Sequence, residues 1–227
     1  MKIGILGTEI VAKTLAGKLS ALGHAVALGT RDVAATLARS KPDLVGGPPV
    51  RTWLEAHPQV KLVTLTEAAA HGELVISALA GTAAVEGVQR AGAAQLAGKI
   101  LIDVTNPLDF SAGFPPALTV ANTDSLGEQL QRALPDTRVV KTLNTVNAFL
   151  MIEPGRLGGG DHTMFVAGND AAAKATVSAL LRDGFGWTDV IDLGDITMAR
   201  GTEMWLPLWV RLYGALGTGM FNLKIVR

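Results

Sequence analysis

The chain has 227 residues, 48% of them hydrophobic and 18% charged, with 20 basic against 20 acidic side chains. That length suits one large domain or a domain with a small extension, and the balance is wrong for a disordered chain or for a nucleic-acid or acidic-membrane partner. Without cysteine, disulfides, thiolate catalysis, iron-sulfur clusters and thiolate zinc sites are excluded together. The four histidines, His24, His57, His71 and His162, show no metal-ligand spacing, so no metal site is expected.

Lys2 to Leu6 is a short apolar run ending at Gly7, and Ile10 to Leu22 carries apolar residues at helical spacing up to Gly23. A strand starting at Lys2 leaves no room for a signal peptide, so a cytoplasmic protein is expected. Ala25 to Leu28 is a second strand, and Asp32 occupies an N-cap position before a helical V-A-A-T-L-A-R-S. A βαβ unit is thus complete within about thirty residues. Pro42 to Pro49 is a Pro/Gly loop, Thr52 to His57 a helical turn or two, and Val60 to Leu65 a strand. The strand from Glu73 to Leu79 lacks polar alternation, which predicts cover on both faces.

Helix Ala83 to Leu96, strand Ile100 to Val104, helix Ser125 to Leu134 and strand Arg138 to Leu143 follow. The alternation predicts an α/β fold, a Rossmann doubly wound, mostly parallel sheet. Residues 1–145 are expected to form this Rossmann domain. Residues 146–227 form a small C-terminal α/β extension: a glycine-rich loop, strand Thr163 to Ala167, helix Ala171 to Arg182, strand Trp187 to Ile191, an apolar helix, and a final F-N-L-K-I-V strand.

The dinucleotide fingerprint G-x-G-x-x-G appears as Gly7-Thr8-Glu9-Ile10-Val11-Ala12. Ala12 is a common variant at the third position. Glu9 puts a carboxylate where two phosphates approach, and unit charges 4 Å apart at an effective dielectric of 20 repel by roughly 4 kcal/mol. A glutamate at a helix start also stabilises an empty turn through the helix dipole, and both readings of Glu9 stand. The second strand ends Gly29-Thr30-Arg31, without the acidic residue that accepts from a ribose 2′-hydroxyl. A hydroxyl and a guanidinium suit a 2′-phosphate, which favours NADP(H) over NAD(H), with a solvated loop arginine as the alternative.

The opening I-G-I-L-G-T, G-T-R-D at Gly29 to Asp32, D-V-T-N-P at Asp103 to Pro107, V-K-T-L-N-T at Val140 to Thr145 and V-A-G-N-D at Val166 to Asp170 resemble the family of NADPH-dependent reductases of the deazaflavin coenzyme F-420. NADPH modules that reduce flavin, including those of membrane ferric reductases, share these landmarks. The resemblance implies hydride transfer from NADPH to a stacked deazaflavin or flavin ring, with no nucleophile-base set in the protein. It also implies that Thr8, Thr30 and Arg31 hold NADPH while Ala80 and Gly81 pass beneath it, with Gly7, Glu9 and Ile10 of the fingerprint turn as further cofactor-binding candidates. Asn106, Pro107 and Asn144 leave strands at their carboxyl ends as positioning residues, and Asn-Pro reads equally as turn chemistry.

Two other readings remain: a reductase of a small organic substrate, which wants a general acid, and a module whose nucleotide affinity Glu9 has weakened. Arg200 and Glu203 read as cleft-facing or capping charges, His162 as surface loop. Met204 to Leu216 is apolar almost all round, which predicts burial in a two-fold homodimer anchored by Trp205 and Trp209.

Overall fold

The computed structural model describes residues 1–43 and 46–227. Of the expected Pro42 to Pro49 loop, residues 44 and 45 lie outside the described residues. The first half alternates as predicted: β1 (Lys2–Leu6), α1 (Ile10–Ala21), β2 (Ala25–Thr30), α2 (Val33–Leu37), α3 (Val50–Glu55), β3 (Lys61–Thr64), α4 (Leu65–His71), β4 (Leu74–Ser77), α5 (Gly81–Ala91) and α6 (Ala93–Leu96). After β5 (Ile100–Asp103), a small hairpin of β6 (Leu108–Asp109) and β7 (Ala117–Leu118) precedes α7 (Leu126–Ala133) and β8 (Arg138–Thr142). Then come α8 (Ala148–Ile152), β9 (Thr163–Ala167), α9 (Ala171–Ala179), β10 (Asp189–Asp192), α10 (Ala199–Met204) and α11 (Leu206–Leu216).

Eight strands form one sheet in the order β10-β9-β8-β5-β4-β1-β2-β3, parallel throughout except where β9 runs antiparallel to β8. The two-residue period of a strand sends alternate side chains to opposite faces. Ile3 and Ile5, Leu74 and Ile76, Ile102 and Val140 join one buried cluster, with Leu15 and Leu19 of α1 and Val177 of α9. Leu6, Val75, Leu101 and Val139 join the other, under Ala68 of α4, Val88 of α5 and Leu130 of α7. Both faces are covered, which is why these strands read as unbroken apolar runs. The strand order reverses between β1 and β4, and in an open α/β sheet the crevice at the carboxyl ends beside such a reversal is where ligands bind.

Several details depart from expectation. Helix α4 lay unread between two strands, yet Thr64 and Glu67 close a capping box on it: Thr64 Oγ1 accepts from Glu67 N (3.2 Å) and Glu67 Oε2 from Thr64 N (2.8 Å). The Ala83 to Leu96 helix is two, parted at Gly92, whose φ is 98°. The F-N-L-K-I-V segment is not a strand, though Leu223 O accepts from Thr163 N (2.9 Å) and Ile225 N donates to Thr163 Oγ1 (3.0 Å), which lays it along the start of β9. His162 is buried, not surface loop: it bonds Pro154 O and Asn222 and meets Trp187 edge-on.

The expected anchors of α11 turn inward. Trp205 donates its indole N–H to Thr145 O (3.1 Å), and the Trp209 ring packs on Tyr213 and Phe221. The apolar side chains left exposed nearby are Met204, Leu208, Tyr213 and Leu216. Among the described residues no helix is long and apolar enough to cross a membrane.

Candidate functional site

Two cavities flank the turn from β1 into α1. The first, of about 210 Å³, is lined from the turn side by Gly7, Thr8 and Glu9, from the end of β2 by Thr30 and Arg31, and from the turn after β4 by Ala78, Leu79 and Ala80. Gly7 has φ 127°, and a Cβ there would stand 2.5 Å from Ala78 O, so only glycine lets β1 pass this close to the next strand end. The N-cap of α1 is Glu9, whose side chain makes no capping bond. The first-turn amides of the helix therefore keep the donors and positive dipole end that favour phosphate.

The Glu9 carboxylate is instead paired with Arg39, Oε1 to Nη1 at 2.9 Å. With both side chains about half exposed, such a pair stabilises the fold by no more than about 1 kcal/mol. Asp32 caps α2 as the sequence indicated, accepting from Ala35 N at 2.9 Å. Thr30 is buried and its hydroxyl shares a 2.7 Å hydrogen bond with Thr36. Arg31 is exposed and makes no ion pair among the described residues. Sequence reasoning missed three further charged residues lining this cavity, Arg39, Glu86 and Arg90. Glu86 and Arg90 sit on α5 and Arg39 in the segment just after α2, and attention to strand ends passes over all three.

The second cavity, of about 230 Å³, is lined by Ile10 and Val11 from the far side of the same turn, by Val104 and Asn106 after β5, by Asn144, Val146 and Asn147 after β8, and by Phe149, Met151, Leu206 and Trp209. Six of the residues expected at the nucleotide thus line the first cavity, while Ile10, Asn106 and Asn144 line the second. Gly81 and Pro107 meet backbone to backbone between them: a Cβ on Gly81 would lie 1.8 Å from Asn106 O and 3.0 Å from Pro107 Cα. Asn106 and Asn144 are a pair. Asn106 Nδ2 donates to Asn144 O (2.8 Å) and Asn144 Nδ2 to Asn106 Oδ1 (3.0 Å). Leu143, just before, has φ 62°, a left-handed conformation costing a non-glycine residue roughly 1–2 kcal/mol. That turn is what points Asn144 back at Asn106.

Beneath this pair lies a buried triad. Lys141 Nζ meets Asp103 Oδ2 at 2.9 Å, Glu203 Oε1 at 2.8 Å and Thr105 O at 2.6 Å, with all three charged side chains almost wholly out of water. Burial alone depresses the Lys141 ammonium pKa, but the two carboxylates outweigh it and hold it above the usual lysine value. Asp103 Oδ1 also accepts from Thr105 N and Oγ1, shaping the turn that presents Asn106. Glu203 accepts from Leu126 N and Gly127 N at the start of α7. Of its two sequence readings the cap is the one realised, on a helix 76 residues away in the chain.

The sequence profile of the family described as NADP oxidoreductase, coenzyme F420-dependent, matches residues 2–107. A crystal structure at 1.70 Å of a proposed F420-dependent NADP-reductase from Arthrobacter sp. FB24 is similar over the whole of both chains, at 58% identity and TM-score 0.96. Metalloreductase STEAP3 of Rattus norvegicus is 30% identical over 224 residues, covering 97% of this chain and 40% of the rat protein. The chain therefore spans two fifths of that relative's length. A reductive aminase from Aspergillus terreus, solved with NADPH and ethyl-5-oxohexanoate, is 21% identical with TM-score 0.63 over 95% of this chain and 62% of its own, a likeness of fold alone.

Proposed function

The chain belongs to the NADP oxidoreductase, coenzyme F420-dependent, family and is an NADP-dependent oxidoreductase; from this we propose that it passes a hydride between NADP(H) and a deazaflavin or flavin ring. The adenosine end of the nucleotide lies in the first cavity, the pyrophosphate crosses the Gly7 to Ile10 turn at the start of α1, and the nicotinamide enters the second cavity beside Asn106 and Asn144. Residues beyond 146 supply Phe149, Met151, Leu206 and Trp209 as the far wall, making the C-terminal part the second-ligand half of the site.

The observation that carries this reading is the chemistry of the second cavity. Among the described residues its lining is apolar apart from three asparagines, and it holds no Asp, Glu, His, Lys or Tyr. Reduction of a carbonyl or imine draws on a general acid at the reacting atom, and the wall supplies none. Transfer between two stacked rings needs only that the rings be held face to face in a water-poor slot, because the cofactors supply the chemistry themselves. The Trp209 indole N–H, buried without a partner among the described residues, is a donor suited to a ring carbonyl. Mixing the protein with NADPH and F420 is expected to bleach the deazaflavin absorbance. FMN and FAD run alongside separate the two ring classes. Turnover of imines or keto acids with neither ring consumed overturns the proposal.

We also propose a homodimer through α11. Leu208 and Leu216, 52% and 57% exposed, stand with Tyr213 on the helix, and Phe114, 62% exposed, borders it near Gly214. Light scattering is expected to give twice the mass of one chain, and Leu208→Glu with Leu216→Glu to halve it. A monomeric mass for the unaltered protein rejects the dimer.

A further inference from the structure

The first cavity holds more cation than a ribose requires. Arg31, Arg39 and Arg90 line it together with Glu9 and Glu86. Arg90 pairs with Glu86 one turn away on the same helix (2.8 Å), an arrangement that the helix alone explains. The Arg39–Glu9 pair is different. It joins the N-cap of α1 to the segment leaving α2, thirty residues on, and it stands at the cavity wall. Arg39 Nη2 also makes a long contact (3.4 Å) with Thr36 Oγ1, whose hydroxyl is bonded to Thr30. Glu9, Arg39, Thr36 and Thr30 thus form one polar chain from the phosphate turn to the strand end that faces the ribose.

We infer that Arg39 is a second specificity-determining cation for the nucleotide's 2′-phosphate, and that Glu9 is its counter-ion in the empty site, displaced by the phosphate when NADPH binds. The inference rests on the reading that this cavity receives the adenosine end. A phosphate dianion offers the guanidinium fork more charge and more acceptor oxygens than a carboxylate does. The pair it must break is half exposed, so little holds Glu9 in place and its side chain has water to enter. NADH carries no 2′-phosphate and leaves the pair closed. Glu9 therefore opposes NADPH by competing for Arg39 and is indifferent to NADH, whereas a carboxylate that simply repelled the pyrophosphate opposes both nucleotides alike.

Fluorescence titrations of NADPH and NADH test this on the intact protein and on Arg31→Ala, Arg39→Met, Glu9→Gln and the Glu9→Gln/Arg39→Met double variant, with melting temperatures confirming that each is folded. Arg39→Met is expected to weaken NADPH about ten- to a hundredfold, the loss typical of hydrogen bonds to a charged group, and to move NADH by less than about twofold. Arg31→Ala is expected to do the same. Glu9→Gln is expected to tighten NADPH about three- to tenfold without moving NADH, and the gain to vanish in the double variant. Equal losses of both nucleotides in Arg39→Met, an unchanged NADPH affinity there, or equal tightening of both in Glu9→Gln overturns the inference. If Arg31→Ala shifts the preference and Arg39→Met does not, the inference alone fails. If neither shifts it, the placement of the adenosine end fails with it.

Discussion

Lys141→Met is expected to destabilise the fold by about 3–5 kcal/mol, the cost of leaving a buried charge without its partner. Lys141 is fully enclosed between Asp103 and Glu203, and methionine of similar volume leaves two carboxylates facing each other out of water. The backbone amides of Leu126, Gly127 and Thr105 still donate to them, which softens the loss without supplying a cation. The lost stability has a pH signature. In the unaltered protein the raised Lys141 pKa makes the ammonium's contribution fully present below the ordinary lysine pKa, and it fades only as pH rises through the folded value, well into the alkaline range. The variant's deficit is therefore expected to be undiminished up to pH 9, below the ordinary lysine pKa. Urea unfolding of both proteins at pH 7.5 and pH 9 checks this. A deficit below about 1 kcal/mol, or one that has vanished by pH 9, contradicts the triad's role.

The triad also explains what the sequence motifs are for. D-V-T-N-P and V-K-T-L-N-T were legible as landmarks, and Asn106 and Asn144 as residues at strand ends. Their partnership was not, because nothing local couples positions 38 residues apart. Asp103 and Lys141, inside those same motifs, face each other only because β5 and β8 are neighbours in register, Asp103 directly opposite Lys141. The strands and the helices with clean apolar periodicity were readable, since both faces of the sheet are covered and each helix buries one stripe. Helix α4 was missed although T-L-T-E is a capping signal, because its short run merged with the strands on either side. The C-terminal segment has a strand's composition and lacks a ladder. Arg39 was passed over for a different reason: its significance depends on Glu9, and the two meet only when α2 folds back beside the α1 turn.

Gly81→Ala is expected to lower kcat/KM by about a hundredfold or more while destabilising the protein by only about 1–3 kcal/mol. The added methyl has no room: its carbon stands 1.8 Å from Asn106 O and 2.7 Å from the Asn106 carbonyl carbon, both of them backbone atoms. Either α5 retreats from β4, widening the floor of the first cavity at Ala80, or the Asn106-Pro107 turn moves outward. The second movement stretches the two hydrogen bonds joining Asn106 to Asn144, and with them the wall proposed to hold the nicotinamide. Helix and sheet accommodate a displacement of about an ångström at moderate cost, because their cores lie further along α5 at Ala84, Val88 and Ala91. The proposed ring-to-ring hydride transfer does not, since its rate would depend on the separation and alignment of the two rings. The loss should therefore fall on kcat more than on KM. Steady-state kinetics with NADPH and F420, together with a urea melt, decide the matter. A variant with full activity shows that the close approach of Gly81 to Asn106 is a packing detail and that the Asn106–Asn144 pair does not position the reacting ring.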